Sequence, residues 1–253
     1  MARLEWELNR DGVQIFPNVF SNAECDYFIS FLEKAHARNL NYVTFVESPS
    51  SQFVPNFFRH SAELLPLVCI PEIDEILKNV LDEDYVLIGC NAINRKADAR
   101  KHNDSVDVGS GWHTDSRYLN GTRLQAGFFY SMLVMLDDFC LENGATEFVR
   151  GSHLRTDRPV RNGNYEFSVI TGKRGDVVLY DSGLWHRGGE QSGDRRWGVF
   201  NLYGPWFVKP YFDFTTMVDP LKLNSRLKAL LHFNSIPPNN EYERFNTLQK
   251  IVS

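Results

Sequence analysis

Hydrophobic and polar positions along this chain change period several times, and each change marks an element. Asp11-Gly12 reads as a turn after a short helix within residues 1–20, and Val13-Gln14-Ile15-Phe16 follows as a strand. Ser21 with Glu24 three positions on makes a capping box. Cys25, Phe28, Ile29 and Leu32 then recur at helical spacing, so a helix with a buried stripe is expected over residues 22–37. Residues 40–60 alternate weakly around Pro49 and Pro55 and predict a strand followed by an irregular loop. A second helix is expected to begin at Pro71-Glu72-Ile73-Asp74, where proline and acids both suit a first turn. Val86 to Ile93 reads as a strand.

The second half is dominated by strands. Leu124 to Leu136 is an unbroken β-prone run. Glu142-Asn143-Gly144 predicts a tight hairpin turn, since Asn-Gly accepts positive φ, with Ala145 to Val149 returning as the partner strand. Phe167–Ile170, Asp176–Tyr180 and Trp197–Tyr203 continue the series, with a turn at Gly172–Gly175. Short strands between turn signals indicate a sandwich or barrel rather than parallel βαβ units. Beyond residue 213 the pattern becomes helical: Leu221, Leu223, Leu227, Leu230 and Leu231 can share one face before Pro237-Pro238. Residues 1–253 are therefore read as one mainly β domain, with a helical N-terminal part and a helical tail packed on a barrel.

Composition narrows this. Apolar residues make up 43% of the 253, and 19 Phe, 10 Tyr and 5 Trp suit strands and an enclosed pocket. A net charge of −5 argues against a nucleic-acid partner. Cys25, Cys69, Cys90 and Cys140 are far apart with no CxxC pair, so core packing is expected rather than disulfides or zinc. The first residues have no signal-peptide pattern, and no run approaches the ~18 apolar residues of a membrane span. A soluble, cytoplasmic protein is expected.

The candidate chemistry centres on Gly111-Trp112-His113-Thr114-Asp115. On a strand, His113 and Asp115 would share a face and could hold one metal ion from one side. The leading third ligand is His186, in Gly183-Leu184-Trp185-His186-Arg187-Gly188-Gly189. Two histidines and a carboxylate form the facial triad of non-haem iron oxygenases, which leaves positions open for chemistry. A His-x-Asp pair arises often by chance among seven histidines. Its position raises it: the pair ends one strand, and His186 lies near the end of another, with hairpins between that can fold the sheet over. Arg195-Arg196 open the last strand, and neighbouring strand residues point to opposite faces. The inward one could grip a carboxylate bidentately. His36 suits the C-terminal end of its helix, and His60 has no partner at ligand spacing. The polar loop 95–110 reads equally as a pocket lid or a solvated loop.

These motifs resemble the phytanoyl-CoA dioxygenase-like family. The likeness runs from Asp11-Gly12-Val13 through Gly111–Asp115, Leu136-Asp137-Asp138-Phe139, Glu142–Thr146 and Gly151-Ser152-His153. It continues through Gly175–Leu179 and His186–Gly189 to Arg196-Trp197-Gly198-Val199. It implies a double-stranded β-helix, or jelly roll, that uses Fe(II), 2-oxoglutarate and O2. His113, Asp115 and His186 would be the iron ligands and Arg196 the cosubstrate clamp. The spacing from His186 to Arg196 is one residue shorter than is common in the family, so Arg195 is a rival for the clamp. Arg150 stands where the family usually has proline, and His153 is read as fixing its loop. Asp115 occupies the place that related halogenases give to a small residue, which favours oxygenation of a C–H bond over halogenation. The implied substrate is a small-molecule metabolite, with natural-product biosynthesis one setting, and the products include succinate and CO2. A cupin-like metalloenzyme without 2-oxoglutarate and a non-catalytic binding domain are the rival readings. Segments 42–60, 95–110 and 154–164 are candidate pocket walls, with Arg155, Arg158 and Arg161 either anion contacts or solvated.

Overall fold

A computed structural model of the chain describes residues 7–38, 51–95, 111–116, 118–119, 122–123, 127–190, 193–236 and 240–243. The first elements are helix α1 (Leu8–Asp11), strand β1 (Val13–Phe16), helix α2 (Asn22–Arg38), strand β2 (Ser51–Pro55), helix α3 (Pro71–Leu81) and strand β3 (Val86–Arg95). Short strands β4 (Tyr118–Leu119) and β5 (Thr122–Arg123) pair with each other. Then come β6 (Tyr130–Met135), β7 (Thr146–Phe148), β8 (Ser168–Val169), β9 (Val177–Asp181), β10 (His186–Gly188), β11 (Arg196–Gly204) and helix α4 (Ser225–Leu230).

Six strands form one antiparallel sheet in the order β1-β9-β6-β11-β3-β2, and three form a second in the order β10-β7-β8. The six-stranded sheet is buried on both faces. Trp197, Val199 and Tyr203 of β11 join the core under α2 and α3, with Leu32, Leu64, Ile73 and Leu77. The opposite face meets the second sheet: Leu133, Met135, Val178 and Tyr180 pack with Phe148, Ala145 and Ile170. This is the two-sheet jelly roll expected, and the interior between the sheets is where the candidate ligands sit.

The N-terminal helices follow the sequence closely. Ser21 and Glu24 make the capping box: the Ser21 backbone N–H donates to Glu24 Oε2 at 2.8 Å, and the Glu24 N–H donates to Ser21 Oγ at 3.3 Å. Cys25, Phe28, Leu32 and Ala35 are the buried stripe. Arg150 pairs with the buried Asp11, which also accepts from Arg10 (2.7 Å) and from the Glu7 N–H (2.9 Å). The residue that replaces the family's proline thus ties α1 to the loop after β7. None of the described helices is long and apolar enough to cross a membrane.

Several expectations need correction. The run from Leu124 to Leu136 is not one strand: Gly127 takes φ +81° and β6 begins only at Tyr130. The turn at Glu142–Gly144 forms, with Gly144 at φ +71° and Asn143 Oδ1 accepting from the Cys140 N–H at 2.9 Å. It does not close a hairpin, because β9 and β11 already occupy both edges of β6. The chain crosses instead to the second sheet, where β7 pairs with β10 and β8. The strand expected within 40–60 is β2, followed by a 3-10 turn at Phe57–Arg59, while residues 39–50 lie outside the described residues. β3 extends to Arg95, two residues beyond the expected end.

The tail is not one helix. Asp213, Asp219 and Asn224 each cap a separate short turn through a side-chain oxygen, so local side-chain bonds divide the segment. Leu223, Leu230 and Leu231 are buried, but Leu221 is 91% exposed. Arg226 (2.7 Å) and Tyr85 (2.5 Å) both donate to Asp74, pinning the tail to α3. Pro237-Pro238 lies outside the described residues.

Gly175 is a position where only glycine fits. It takes φ +86°, donates to the Met135 carbonyl (2.8 Å) and accepts from the Phe20 N–H (3.0 Å), and an added Cβ would collide with the Phe20 carbonyl. Gly175→Ala is expected to lower stability by about 2 kcal/mol or more through backbone strain, read as a lower urea midpoint with an unchanged slope.

Candidate metal centre

One pair of backbone hydrogen bonds assembles the site. His113 and His186 form an isolated antiparallel bridge, each N–H donating to the other's carbonyl at 3.0 Å. Ser116 N–H to the Ser182 carbonyl, at 2.9 Å, continues the approach. The chain around His113 is therefore laid along the approach to β10, and His186 begins that strand rather than ending one. Asp115 lies in a bend beyond the bridge, not on a regular strand. Its orientation comes from partners across the interior. Ser131 Oγ (2.9 Å) and Tyr180 Oη (3.1 Å) both donate to Asp115 Oδ2.

The result is convergence. Ligand atoms of His113, Asp115 and His186 all lie within 4.8 Å of one another, and His186 Nε2 is 3.7 Å from Asp115 Oδ1. The two imidazoles are oriented alike: His113 Nδ1 sits 2.8 Å from the Gly111 carbonyl and His186 Nδ1 2.9 Å from the Leu184 carbonyl. A carbonyl can only accept, so each Nδ1 carries the proton and each Nε2 keeps its lone pair for a metal. Burial, followed by the neighbouring His186, pushes the His113 pKa down to about 4, which favours the neutral ring. Burial works against ionising Asp115. The two imidazoles and the two hydroxyl donors outweigh it and hold the carboxyl below its usual pKa. Two neutral nitrogens and one anionic oxygen fit a divalent first-row metal with open coordination positions.

A cavity of about 450 Å³ adjoins the three side chains, and its floor is the interior face of the six-stranded sheet. Arg196 lines it. This guanidinium is buried (2% exposed), lies 4.0 Å above the Phe139 ring, and donates to the carbonyls of Asn143 (2.9 Å) and Gly144. No carboxylate pairs with it among the described residues. Burial and then the neighbouring Arg95 lower its pKa to about 9. Arg195 takes the opposite face and meets Glu33 at the surface, 3.4 Å away.

Arg95, read above as the start of a polar loop, is the residue that sequence reasoning missed. It pairs with Arg196 across β3 and β11, lines the same cavity, and donates to the Gly144 (3.4 Å) and Gly189 (3.1 Å) carbonyls. Extending the period-two pattern Gly89, Asn91, Ile93, Arg95 would have found its face, but not its partner. The other candidates disperse. His153 is buried, with Nε2 3.1 Å from the Asn9 carbonyl, and it fixes its loop to α1. His36 is at the end of α2 and His60 caps a 3-10 turn. Arg155 pairs with Asp157 and stacks on Trp185. Of the three proposed walls, the 42–60 segment supplies Phe53 and Pro55, residues 154–164 supply none of the described lining, and 96–110 lie outside the described residues.

Comparison with known proteins gives a family. The family model described as Phytanoyl-CoA dioxygenase (PhyH) matches residues 8–198. Dioxygenase hkm4 of Aspergillus hancockii is 35% identical over 82 residues, which cover 31% of this chain and 27% of that protein. The match thus spans about a quarter of that relative's length. HygX from Streptomyces hygroscopicus, solved with nickel, 2-oxoglutarate and hygromycin B bound, superposes with a TM-score of 0.63 at 20% identity, covering 81% of this chain and 87% of HygX. The non-heme alpha ketoglutarate dependent epimerase SnoN from nogalamycin biosynthesis gives 0.62 at 20% identity, covering 87% and 93%. At such identity these two likenesses show a shared fold.

Removing a donor that orients the carboxylate should loosen metal binding without abolishing it. Ser131→Ala is expected to weaken Co(II) affinity by about tenfold, as outer-shell partners of metal ligands generally do, in a spectroscopic titration. An affinity equal to that of the unmodified protein would remove Ser131 from the site.

Proposed function

Because the chain belongs to the phytanoyl-CoA dioxygenase family, we propose that it is an Fe(II)- and 2-oxoglutarate-dependent dioxygenase that hydroxylates a C–H bond of a small-molecule metabolite. His113, Asp115 and His186 hold the iron, and Arg196 grips the far carboxylate of 2-oxoglutarate. The observation that carries this reading is the convergence of three ligand atoms within 4.8 Å, with both Nδ1 atoms turned away onto carbonyls. When bound, iron and 2-oxoglutarate supply the oxidising chemistry: with O2 they yield succinate, CO2 and a hydroxylated substrate.

The chain's own residues bind, orient and exclude water. Neutral His113 and His186 with ionised Asp115 offset one of the two positive charges of Fe(II). Ser131 and Tyr180 occupy Asp115 Oδ2, which leaves Oδ1, the oxygen nearer His186, for the metal. Arg196 fits its part for two reasons. Its Nε and one terminal nitrogen are held by main-chain carbonyls, which fix the plane of the guanidinium, and its remaining N–H groups are available to a carboxylate. A buried cation that meets no acid among the described residues is also stabilised by an arriving anion. Arg195, paired with Glu33 at the surface, lacks both features. The HygX complex with 2-oxoglutarate supports the same cosubstrate on this fold.

Iron-loaded protein is expected to convert 2-oxoglutarate to succinate, even slowly without substrate; no conversion under any loading would sink the assignment. His186→Ala should abolish it. Arg196→Ala should raise the KM for 2-oxoglutarate by roughly tenfold or more, the worth of a charge-assisted hydrogen bond, while Arg195→Ala should leave it within about twofold, as befits an exposed pair. The reverse ranking would assign the clamp to Arg195.

A further inference from the structure

Part of the cavity is furnished for a molecule unlike the cosubstrate. On β3, Gly89, Asn91 and Ile93 share the interior face with Arg95, and they sit opposite Leu202, Phe200 and Gly198 of β11. Phe53 and Pro55 of β2 lie alongside Ile93 and Asn91. Tyr211 closes over this surface. Its N–H donates to the Ile88 carbonyl at 2.8 Å, and its ring packs so closely on Gly89 that an added Cβ would sit 2.7 Å from a ring carbon. Phe212 lines the cavity beside it, and the same segment exposes Trp206 and Phe207 to solvent (54% and 63%). Among these described residues Asn91 places an amide on the interior face between Gly89 and Ile93. The residue is partly exposed to the cavity, its side-chain oxygen is enclosed, and that oxygen has no hydrogen-bond partner.

Charge separates the two regions. Arg187, also in the lining, is matched by Glu147 at 2.6 Å and stacks on Trp112. Arg95 and Arg196 lie together at the cosubstrate end. The described walls around Asn91 carry no charged side chain.

We propose that this region is the substrate chamber, and that it takes an uncharged, ring-bearing molecule whose hydroxyl group is read by the Asn91 amide. The proposal rests on the reading that the triad and Arg196 hold iron and 2-oxoglutarate. Flat apolar rings match the walls of Phe53, Phe200, Tyr211 and Phe212. A hydroxyl both donates and accepts, so it complements the amide whichever way the amide is turned. An anionic substrate finds no cation among the described walls around Asn91, and a purely apolar one leaves the Asn91 amide without a partner.

Equilibrium dialysis of iron-loaded protein, held without oxygen and with saturating 2-oxoglutarate, tests this with three probes of one shape: 2-naphthol, 2-methylnaphthalene and 2-naphthoate. Unmodified protein should retain 2-naphthol most tightly. Asn91→Leu should cut the preference for 2-naphthol over 2-methylnaphthalene by about fivefold, the worth of one neutral hydrogen bond. Asn91→Asp, nearly the same size, should keep 2-naphthol and reject 2-naphthoate further, so a folding defect in one variant does not decide the result. The proposal is overturned if both variants keep the original preference, if 2-naphthoate binds as tightly as 2-naphthol, or if no probe is retained. Retention of 2-oxoglutarate is measured in the same cells. If it is lost while the Asn91-dependent preference persists, the cosubstrate reading fails and the chamber stands. If it is retained without that preference, the chamber alone fails.

Discussion

The centre of this protein depends on two backbone hydrogen bonds, those exchanged by His113 and His186. They carry no chemistry, yet they set the separation of the two imidazoles, whose ring centroids lie 4.3 Å apart. A two-bond bridge outside any longer strand would be weak alone. Here it is reinforced at both ends. Trp112 N–H bonds the Arg161 carbonyl and Ser116 N–H bonds the Ser182 carbonyl, each at 2.9 Å. The imidazoles then gain a common orientation because each Nδ1 has a carbonyl two residues before it in the chain. One local geometry, repeated on two segments, presents both lone pairs to the same point.

The proposed clamp follows an opposite logic, since it concentrates like charge. Arg95 and Arg196 converge on the Gly144 carbonyl from neighbouring strands, and each disfavours the charge on the other, in keeping with the lowered pKa of Arg196. Like charge at this separation is repulsive, and the carbonyls of Asn143, Gly144 and Gly189 act against that repulsion. The turn at residues 142–144 therefore matters less as a reversal than as a cluster of acceptors aimed at the cavity. Gly188 lets Arg95 lie flat across β10, because a Cβ there would meet the guanidinium.

Local patterns in the sequence were enough to read α2 with its cap, β1, α3 and most of β3, because each is specified by residues a few positions apart. The three proposed ligands were also legible, while strand alternation told only that Arg195 and Arg196 take opposite faces, and the family resemblance was needed to choose Arg196. What escaped was anything decided by competition for a partner. The 142–144 turn looked like a hairpin because its residues suit one; no local signal reports that β9 and β11 already hold both edges of β6. The tail looked like one helix because its leucines suit one, while Asp213, Asp219 and Asn224 divide it into capped turns. Asp115 was placed correctly for the wrong reason: not alternation along a strand, but Ser131 and Tyr180 reaching from across the interior, orients its carboxylate.

Strand β3 links these levels. Its period-two face carries Arg95 at the cosubstrate end and Asn91 and Gly89 in the proposed chamber, so one register against β11 positions both. A slip of one residue would turn all three away from the cavity. The register is interrupted once: Leu202 pairs with Gly89 but Tyr203 with Leu87, so Ile88 is the extra residue of a bulge. The bulge leaves the Ile88 carbonyl to accept from Tyr211, and the missing side chain at Gly89 makes room for the Tyr211 ring. A single inserted residue thus turns the segment after β11 back over the sheet as an aromatic wall. The same irregularity turns Leu87 to the helical side, where it joins the core with Tyr203, whose hydroxyl bonds the Val68 carbonyl at 2.7 Å. Packing beneath the sheet and the shape of the chamber above it are set by the same bulge, so a change that repairs the ladder there would alter both.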